Sequence, residues 1–313
     1  MTSPLDPDTR ARLQERLRRF YERELTEGQG AYFNVGTDGE LIPTRMGRHW
    51  LAEHRRAFAE LLGLTQSDRF LDVGCGEGYY TLALARGAGT SVAADVSSSV
   101  LRLMGRLRDH DPARVHRVVT DVERLPFPAS CFDKALCSHM LEHVLDDRAV
   151  VAEMHRVVRP GGVVVFAIPL KYTAQYRALR RVEGIARGIL KPWKKPYPVA
   201  PIGELDVRLV GVQAHVRHYS VDVFRLMLEE NGFRVTDVRG MWFHDPRNWL
   251  VRWTQPRRWT YEFGSRLSRR WPSLGAGLVV RTIRQCLASR GGPGRLVGSV
   301  VGFDPDTLES DAQ

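Results

Sequence analysis

The chain has 313 residues, 43% of them hydrophobic, and a formal net charge of +10; that length and apolar content suffice to bury a sizeable core. Its longest apolar run, GGVVVFAIPL, is far shorter than the roughly 20 residues a bilayer span requires, and its start, MTSPLDPDTRARLQERLRRFYEREL, has no apolar centre, so a spanning helix is excluded and a cytoplasmic protein is expected. The charge is unevenly placed: residues 66–170 carry 12 basic and 13 acidic residues, whereas residues 171–199 carry 8 and 1, and residues 247–295 carry 11 and 1. In chain order, Asp8 to Leu25 is polar and helix-prone, and MGRHWLAEHRRAFAELLGL places Trp50, Leu51, Phe58, Leu61 and Leu62 at helical spacing. RFLDVG then reads as a buried strand, YYTLALARG as a helix ending at Gly87, TSVAAD as a strand, SSSVLRLMGRLRD as a helix and VHRVVTD as a strand. CFDKALCS reads as a strand, RAVVAEMHRVVRPGG as a helix stopped by Pro160 and Gly161, and VVVFAIP as a strand. Further on come an amphipathic helix, SVDVFRLMLEENG, and two strands, FRVTDVRGM and LGAGLVVRTI. Strands alternating with helices predict an α/β fold, a doubly wound and mostly parallel sheet.

The chemistry concentrates in FLDVGCGEG. In an open parallel sheet, ligands settle at the carboxyl ends of the strands, and the first strand-to-helix turn is where backbone approaches them most closely. Gly74, Gly76 and Gly78 would clear side chains from that approach, and a turn alone would not also call for Asp72. A dinucleotide fingerprint would need its third glycine one place later, and the terminal G-K-[ST] of a phosphate loop is absent. The cysteines Cys75, Cys131, Cys137 and Cys286 form no CxxC pair and no ligand spacing with histidine, so spare thiols are expected and no metal site.

DVGCGEG, preceded by its apolar strand, resembles the first motif of class I S-adenosylmethionine-dependent methyltransferases, and later segments resemble that family in order. The resemblance covers about residues 66–241 and is to the type 11, ubiquinone/menaquinone-biosynthesis-like branch that acts on small molecules. It implies a Rossmann-like seven-stranded sheet and S-adenosyl-L-methionine as cofactor, with S-adenosyl-L-homocysteine as product. Asp72, Gly74, Cys75, Gly76 and Gly78 would form the donor loop. Asp95, 23 residues beyond Asp72 and followed by Val96, would take the ribose hydroxyls, a task suited to a carboxylate. Asp121 would hold the adenine amino group with the Val122 backbone beside the ring, and Ser138 and His139 would border the donor. FDKALCSHMLEHVLDD and EMHRVVRPGGVVVFAIP resemble the fourth and fifth strands.

Displacement at a sulfonium methyl is catalysed largely by positioning, and a general base is needed chiefly when the acceptor is a hydroxyl. The candidate bases are His139 and His143, with His215 and His218 in AHVRHYS; packing or helix initiation is the alternative for His143, and a structural origin, with Ser220 capping the next helix, for the AHVRHYS run. The end of the fourth strand, CSHMLEHV, lacks the Pro-Pro signature of enzymes that methylate exocyclic amino groups, which disfavours adenine or glutamine acceptors. The insertion LKYTAQYRALRRVEGIARGILKPWKKPYPVAP, with eight cations, three tyrosines and Trp193, reads as an acceptor lid suited to an anionic or extended metabolite. WFHDPRNWLVRWTQPRRWTYEFGSRLSRRW, with five tryptophans, fits either a peripheral membrane contact or an extra packed helix pair. The division expected is 1–65 as an N-terminal helical cap, 66–170 as the cofactor-binding core, 171–219 as the basic lid, 220–300 as the rest of the sheet with the Trp/Arg-rich insertion, and 301–313 as a flexible tail. Tyr32, Phe33 and Arg45 are candidates within the cap. The leading expectation is O-methylation of a small-molecule acceptor. The alternatives are an RNA- or lipid-directed methyltransferase, with nucleic acid disfavoured by the absence of an RNA-binding module, and a catalytically silent interaction protein.

Overall fold

The structure is a computed structural model that describes residues 6–27, 33–35, 41–43, 47–170, 202–210, 215–241 and 258–285, with the side chains of 21–49 and 258–261 left outside the description. Helix α1 (Pro7–Glu27) precedes a two-stranded antiparallel pair, β1 (Phe33–Val35) and β2 (Leu41–Pro43), and helix α2 (Gly47–Leu62). The α/β alternation follows: β3 (Arg69–Val73), α3 (Tyr79–Ala85), β4 (Thr90–Asp95), α4 (Ser98–Met104), β5 (Val115–Val119), β6 (Phe132–Ser138), α5 (Asp147–Val157) and β7 (Val158–Pro169). Helix α6 (Val221–Glu230), β8 (Phe233–Met241), α7 (Arg258–Arg270) and β9 (Gly277–Arg284) complete the described elements.

Seven strands form one sheet in the order β5-β4-β3-β6-β7-β9-β8. The pairs β5-β4, β4-β3, β3-β6 and β6-β7 are parallel, and β9 runs antiparallel to both β7 and β8. The sequence dictates this through a run of apolar residues buried on both faces, the pattern of a sheet covered on each side. Leu71, Val73, Ala135, Cys137, Val164, Phe166 and Ile168 join α5 and α6 in one core. Their chain neighbours Phe70, Leu136, Val163, Val165 and Ala167 join Phe58, Leu61 and Leu62 of α2 in another. Period-two alternation thus divides a single stretch between two cores. A satellite cluster of Leu13, Leu17, Leu145, Leu209, Val210 and Val216 packs α1 and the last three of these residues onto the chain that follows β6.

Two boundaries differ from the sequence reading. Helix α5 ends at Val157, and Pro160 and Gly161 lie inside β7 rather than stopping the helix. A residue before proline is pushed toward extended backbone, and extension has set in by Val158, at φ −83 and ψ 137. Helix α4 stops at Met104, short of the predicted segment, and the following Gly105 leaves room for the Arg117 guanidinium, which a Cβ there would strike. That guanidinium donates to the Leu101 carbonyl at 2.7 Å and so closes the last turn. The β1–β2 pair and the extent of α7 were not anticipated. Helix α7 packs on β8, where Gly240 lets the Ser268 and Pro272 carbonyls approach.

Candidate active site

Strand order reverses between β3 and β6: the chain moves outward through β4 and β5, then returns to β6 and continues through β7. The crevice at the carboxyl ends of β3 and β6 is therefore the switch point at which such sheets take ligands. The β3–α3 loop is tied over it by the N–H groups of Gly74 and Cys75, which donate to the Ala94 carbonyl at 2.8 and 3.2 Å.

The three loop glycines have different jobs. All have positive φ (70°, 52° and 82°), a region costly for residues with a Cβ. At Gly74 a Cβ would strike Met140, and at Gly78 it would strike Met104. At those two positions protein packing is by itself a sufficient reason for glycine. Only at Gly76 would a Cβ point into open space.

Asp72 faces inward. It is 2% exposed and accepts the Thr81 hydroxyl at 2.5 Å, which fastens α3 to β3. Burial, opposed by the Thr81 hydrogen bond and reinforced by the negative charge of Asp95, pushes its carboxyl up to about 7. Asp95 lies at the end of β4, where its two oxygens accept the N–H groups of Gly76 (3.0 Å) and Ser97 (2.9 Å). Burial raises its carboxyl above the ordinary range, and those backbone donors oppose the rise. Each oxygen keeps a lone pair beyond these bonds. Val96 beside it is exposed. Cys75 donates weakly to the Gly76 carbonyl at 3.5 Å, and burial drives its thiol well up, so it stays protonated and inert. The Val122 side chain belongs to the main core. Asp121 is exposed and accepts Gln14 Nε2 of α1 at 3.2 Å. Next to it, Glu123 pairs with Arg10 of α1 and accepts the Leu145 and Asp146 N–H groups at 3.0 Å each. The cap, the loop after β5 and the loop after β6 thus meet at one carboxylate.

The histidines gather after β6. His139 has φ 53, unusual for a residue with a side chain, and is held there by its N–H to the Ala167 carbonyl at 2.8 Å. Its Nδ1 is 3.4 Å from Glu142 Oε1, and His143 Nε2 is 3.6 Å from the same oxygen. Glu142, 1% exposed, was not singled out from sequence, although the spacing H-x-x-E-H places it between the two rings. Trp50 and His54, one α2 turn apart, stack at 4.9 Å and approach the His139 ring at 5.6 and 5.4 Å. His143 ends a short 3₁₀ turn (Leu141–His143) and does not start the next helix; Asp146 does, accepting the Ala149 N–H at 2.9 Å. The HVRHYS run divides by role. Arg217 donates to the Val144 and Leu145 carbonyls (3.2 and 2.9 Å), Tyr219 donates to Asp147 (2.8 Å) and Ser220 caps α6, all structural. His215 instead packs on His143 at 5.1 Å, and the fully buried His218 lies 5.9 Å from His215.

The residues present fit a sulfonium nucleoside. Gly76 leaves open space at the loop, Asp95 presents spare lone pairs beside it, and the Ser138 hydroxyl at the end of β6 is buried with no hydrogen-bond partner among the described residues. A family profile described as a methyltransferase domain matches residues 71–166, from β3 to β7. The demethylmenaquinone methyltransferase of Mycolicibacterium vanbaalenii is 41% identical over 111 residues, which are 36% of this chain and 46% of that one. The ubiquinone biosynthesis O-methyltransferase of Paracidovorax citrulli is 34% identical over 170 residues, 53% of this chain and 63% of that one. The chain spans about half the length of the first of these relatives. Among solved structures, a Haloferax volcanii methyltransferase in complex with the Trm112 methyltransferase activator superposes with TM-score 0.51 at 16% identity, covering 89% of this chain and 98% of that one. The (4+2)-cyclase SpnF gives 0.55 at 16%, covering 90% and 98%. At such identities the likeness establishes the fold alone, and a cyclase among the neighbours shows why the reaction must be argued from the site. The candidate lid residues 171–201 and 211–214 and the tryptophans 242, 249 and 253 lie outside the described residues, as do the side chains of Tyr32, Phe33, Arg45 and Trp259 and all of Cys286.

Proposed function

We propose that the chain transfers a methyl group from S-adenosylmethionine to a hydroxyl of a small-molecule acceptor. The observation that carries this reading is the placement of the Gly76 opening, Asp95 and the His139–Glu142 pair at the carboxyl ends of the neighbouring strands β3, β4 and β6. When bound, S-adenosylmethionine supplies an electrophilic sulfonium methyl. Asp95 accepts the ribose hydroxyls with the lone pairs left after its bonds to Gly76 and Ser97. Asp121 and the Val122 backbone hold the adenine edge, and Ser138 offers its hydroxyl from the β6 side. Helix α1, fixed through Gln14 and Arg10, closes the adenine end. His139 takes the acceptor's proton on Nε2 while Glu142 steadies Nδ1, and the Trp50–His54 stack beside it favours a flat acceptor. The names of the two relatives, both attached to quinone methylation, agree with such an acceptor. The basic segment 171–199 supports an anionic or extended one by charge alone.

The test is transfer of label from S-adenosylmethionine to a panel of hydroxylated aromatic acceptors, with matched amines and unsubstituted rings as controls. Label on hydroxyls, with kcat reduced by roughly 10²–10⁴ in His139→Asn, supports the reading. Transfer to amines with His139→Asn unaffected refutes the oxygen assignment and the base.

A peripheral membrane contact has its own support. Helix α7 exposes Phe263 (61%) one and two turns from Arg266 and Arg270, and Trp271 (51%) follows with Arg270 5.6 Å from its ring. Flotation with anionic but not neutral vesicles, lost in Phe263→Ser with Trp271→Ser, is the expected result; equal flotation of the variant refutes it.

A further inference from the structure

We propose that Glu142, His143 and His215 form a binding site for a divalent transition-metal ion, zinc or a first-row neighbour, at the carboxyl end of β6. One ligand atom from each of the three lies within 4.8 Å of the other two, and Glu142 Oε1 and His143 Nε2 are 3.6 Å apart. An ion bonded to nitrogen and oxygen at about 2.0–2.2 Å holds tetrahedral ligand atoms about 3.3 Å apart. The present separations, at most 4.8 Å, exceed that spacing by no more than about 1.5 Å.

The backbone is built to keep the three together. His143 follows Glu142 directly, but His215 comes from a segment more than seventy residues onward. That segment is stapled in place by the Val216 N–H on the Glu142 carbonyl (2.9 Å), by Arg217 on the Val144 and Leu145 carbonyls, and by Tyr219 on the Leu141 carbonyl (3.3 Å) and Asp147. Every staple holds the chain next to Glu142, so the frame is rigid where the ligand atoms converge.

The chemistry of the set selects the ion. Two imidazoles and one carboxylate suit zinc, iron, cobalt or manganese, whereas magnesium and calcium prefer oxygen alone. Three protein ligands leave a coordination position open. His139, whose Nδ1 is 3.4 Å from the same carboxylate oxygen, orients Glu142 in the way that groups around a metal's own ligands commonly do. The carboxylate is 1% exposed and lies beside the His139 and His143 rings, so its charge sits where a divalent ion would meet little competing water. Cysteine-based spacing rules miss this set, since its third member is remote in sequence. If the methyl-transfer reading holds, on which this clause alone rests, the open position would take an acceptor hydroxyl and lower its pKa.

The experiment is calorimetric titration of chelator-stripped full-length chain with Zn²⁺, and with Co²⁺ followed by visible absorption. The expected result is one ion per chain with the intense d–d bands of a low-symmetry cobalt site. Loss of a ligand in His215→Ala should weaken binding by more than the roughly 10- to 100-fold that loss of a supporting group costs, and Glu142→Gln should do the same. The exposed His116→Ala should leave affinity unchanged. Thermal melts by circular dichroism verify folding; if Glu142→Gln does not fold, His215→Ala, only half-buried, decides. No saturable ion, or unchanged affinity in His215→Ala, overturns the site. S-adenosylhomocysteine binding is read on the metal-free chain, so that failure is separable from failure of the methyl-transfer reading.

Discussion

Asp72→Asn should make the protein more stable at pH 8 and leave it nearly unchanged at pH 4. The carboxyl is 2% exposed, and burial is the main force raising it from an ordinary 3.8 to about 7. Below pH 4 the group is protonated in both folded and unfolded chains and contributes no difference. Between about pH 4 and 7 the unfolded chain releases a proton that the native chain retains, so stability falls as pH rises and the loss is complete above the folded-state value. At 1.36 kcal/mol per pH unit, that interval is worth about 4 kcal/mol. Asparagine keeps the shape, does not titrate, and retains a partner in the Thr81 hydroxyl at 2.5 Å. Urea denaturation of both proteins from pH 4 to 8 is the assay; subtracting the two curves cancels the titrating groups that do not feel the Asp72 charge. The asparagine variant should gain several kcal/mol on the parent across that window. A difference that stays flat with pH would refute the argument that Asp72 is held neutral by burial.

Gly74→Ala and Gly76→Ala should part company. The first forces a Cβ into Met140 and should lower the melting temperature markedly, while the second meets only the cost of positive φ, about 1–2 kcal/mol, and should weaken S-adenosylhomocysteine binding more than folding; equal effects on both readouts would contradict the division of labour. Tyr219→Phe strips the hydroxyl that Asp147 accepts at 2.8 Å and should cost about 1–3 kcal/mol in chemical denaturation with nucleoside affinity unchanged. Leu13→Asp with Leu17→Asp puts charge into the satellite cluster and should free α1 for limited proteolysis near residue 10 while residues 66–170 stay protected; an unchanged digestion pattern would remove the docked cap.

The sheet was legible because it rests on local signals: RFLDVG, TSVAAD and CFDKALCS fall where they were read. Asp95 and the Gly76 opening were legible for the same reason, since strand ends and loops after them are adjacent in sequence. What escaped depends on contacts between distant segments. Thr81 reads as an ordinary helical residue until Asp72 is found beneath it, and Gln14 reads as a polar helix position until Asp121 lies opposite. Glu142 carried a local clue in its two flanking histidines, but its joining of His139, His143 and His215 depends on Val216 folding back 74 residues later. The separate packing roles of Gly74 and Gly78 were not legible, because positive φ and tight packing leave the same mark on a sequence as close approach of a ligand.

Calorimetry of S-adenosylhomocysteine against the parent chain and Asp95→Ala tests the account most directly. The crevice predicts stoichiometric binding by the parent and a loss of about 1.5–3 kcal/mol in the variant, the worth of a hydrogen bond to a charged group. No binding by folded parent protein, or equal affinity in the two, would contradict it.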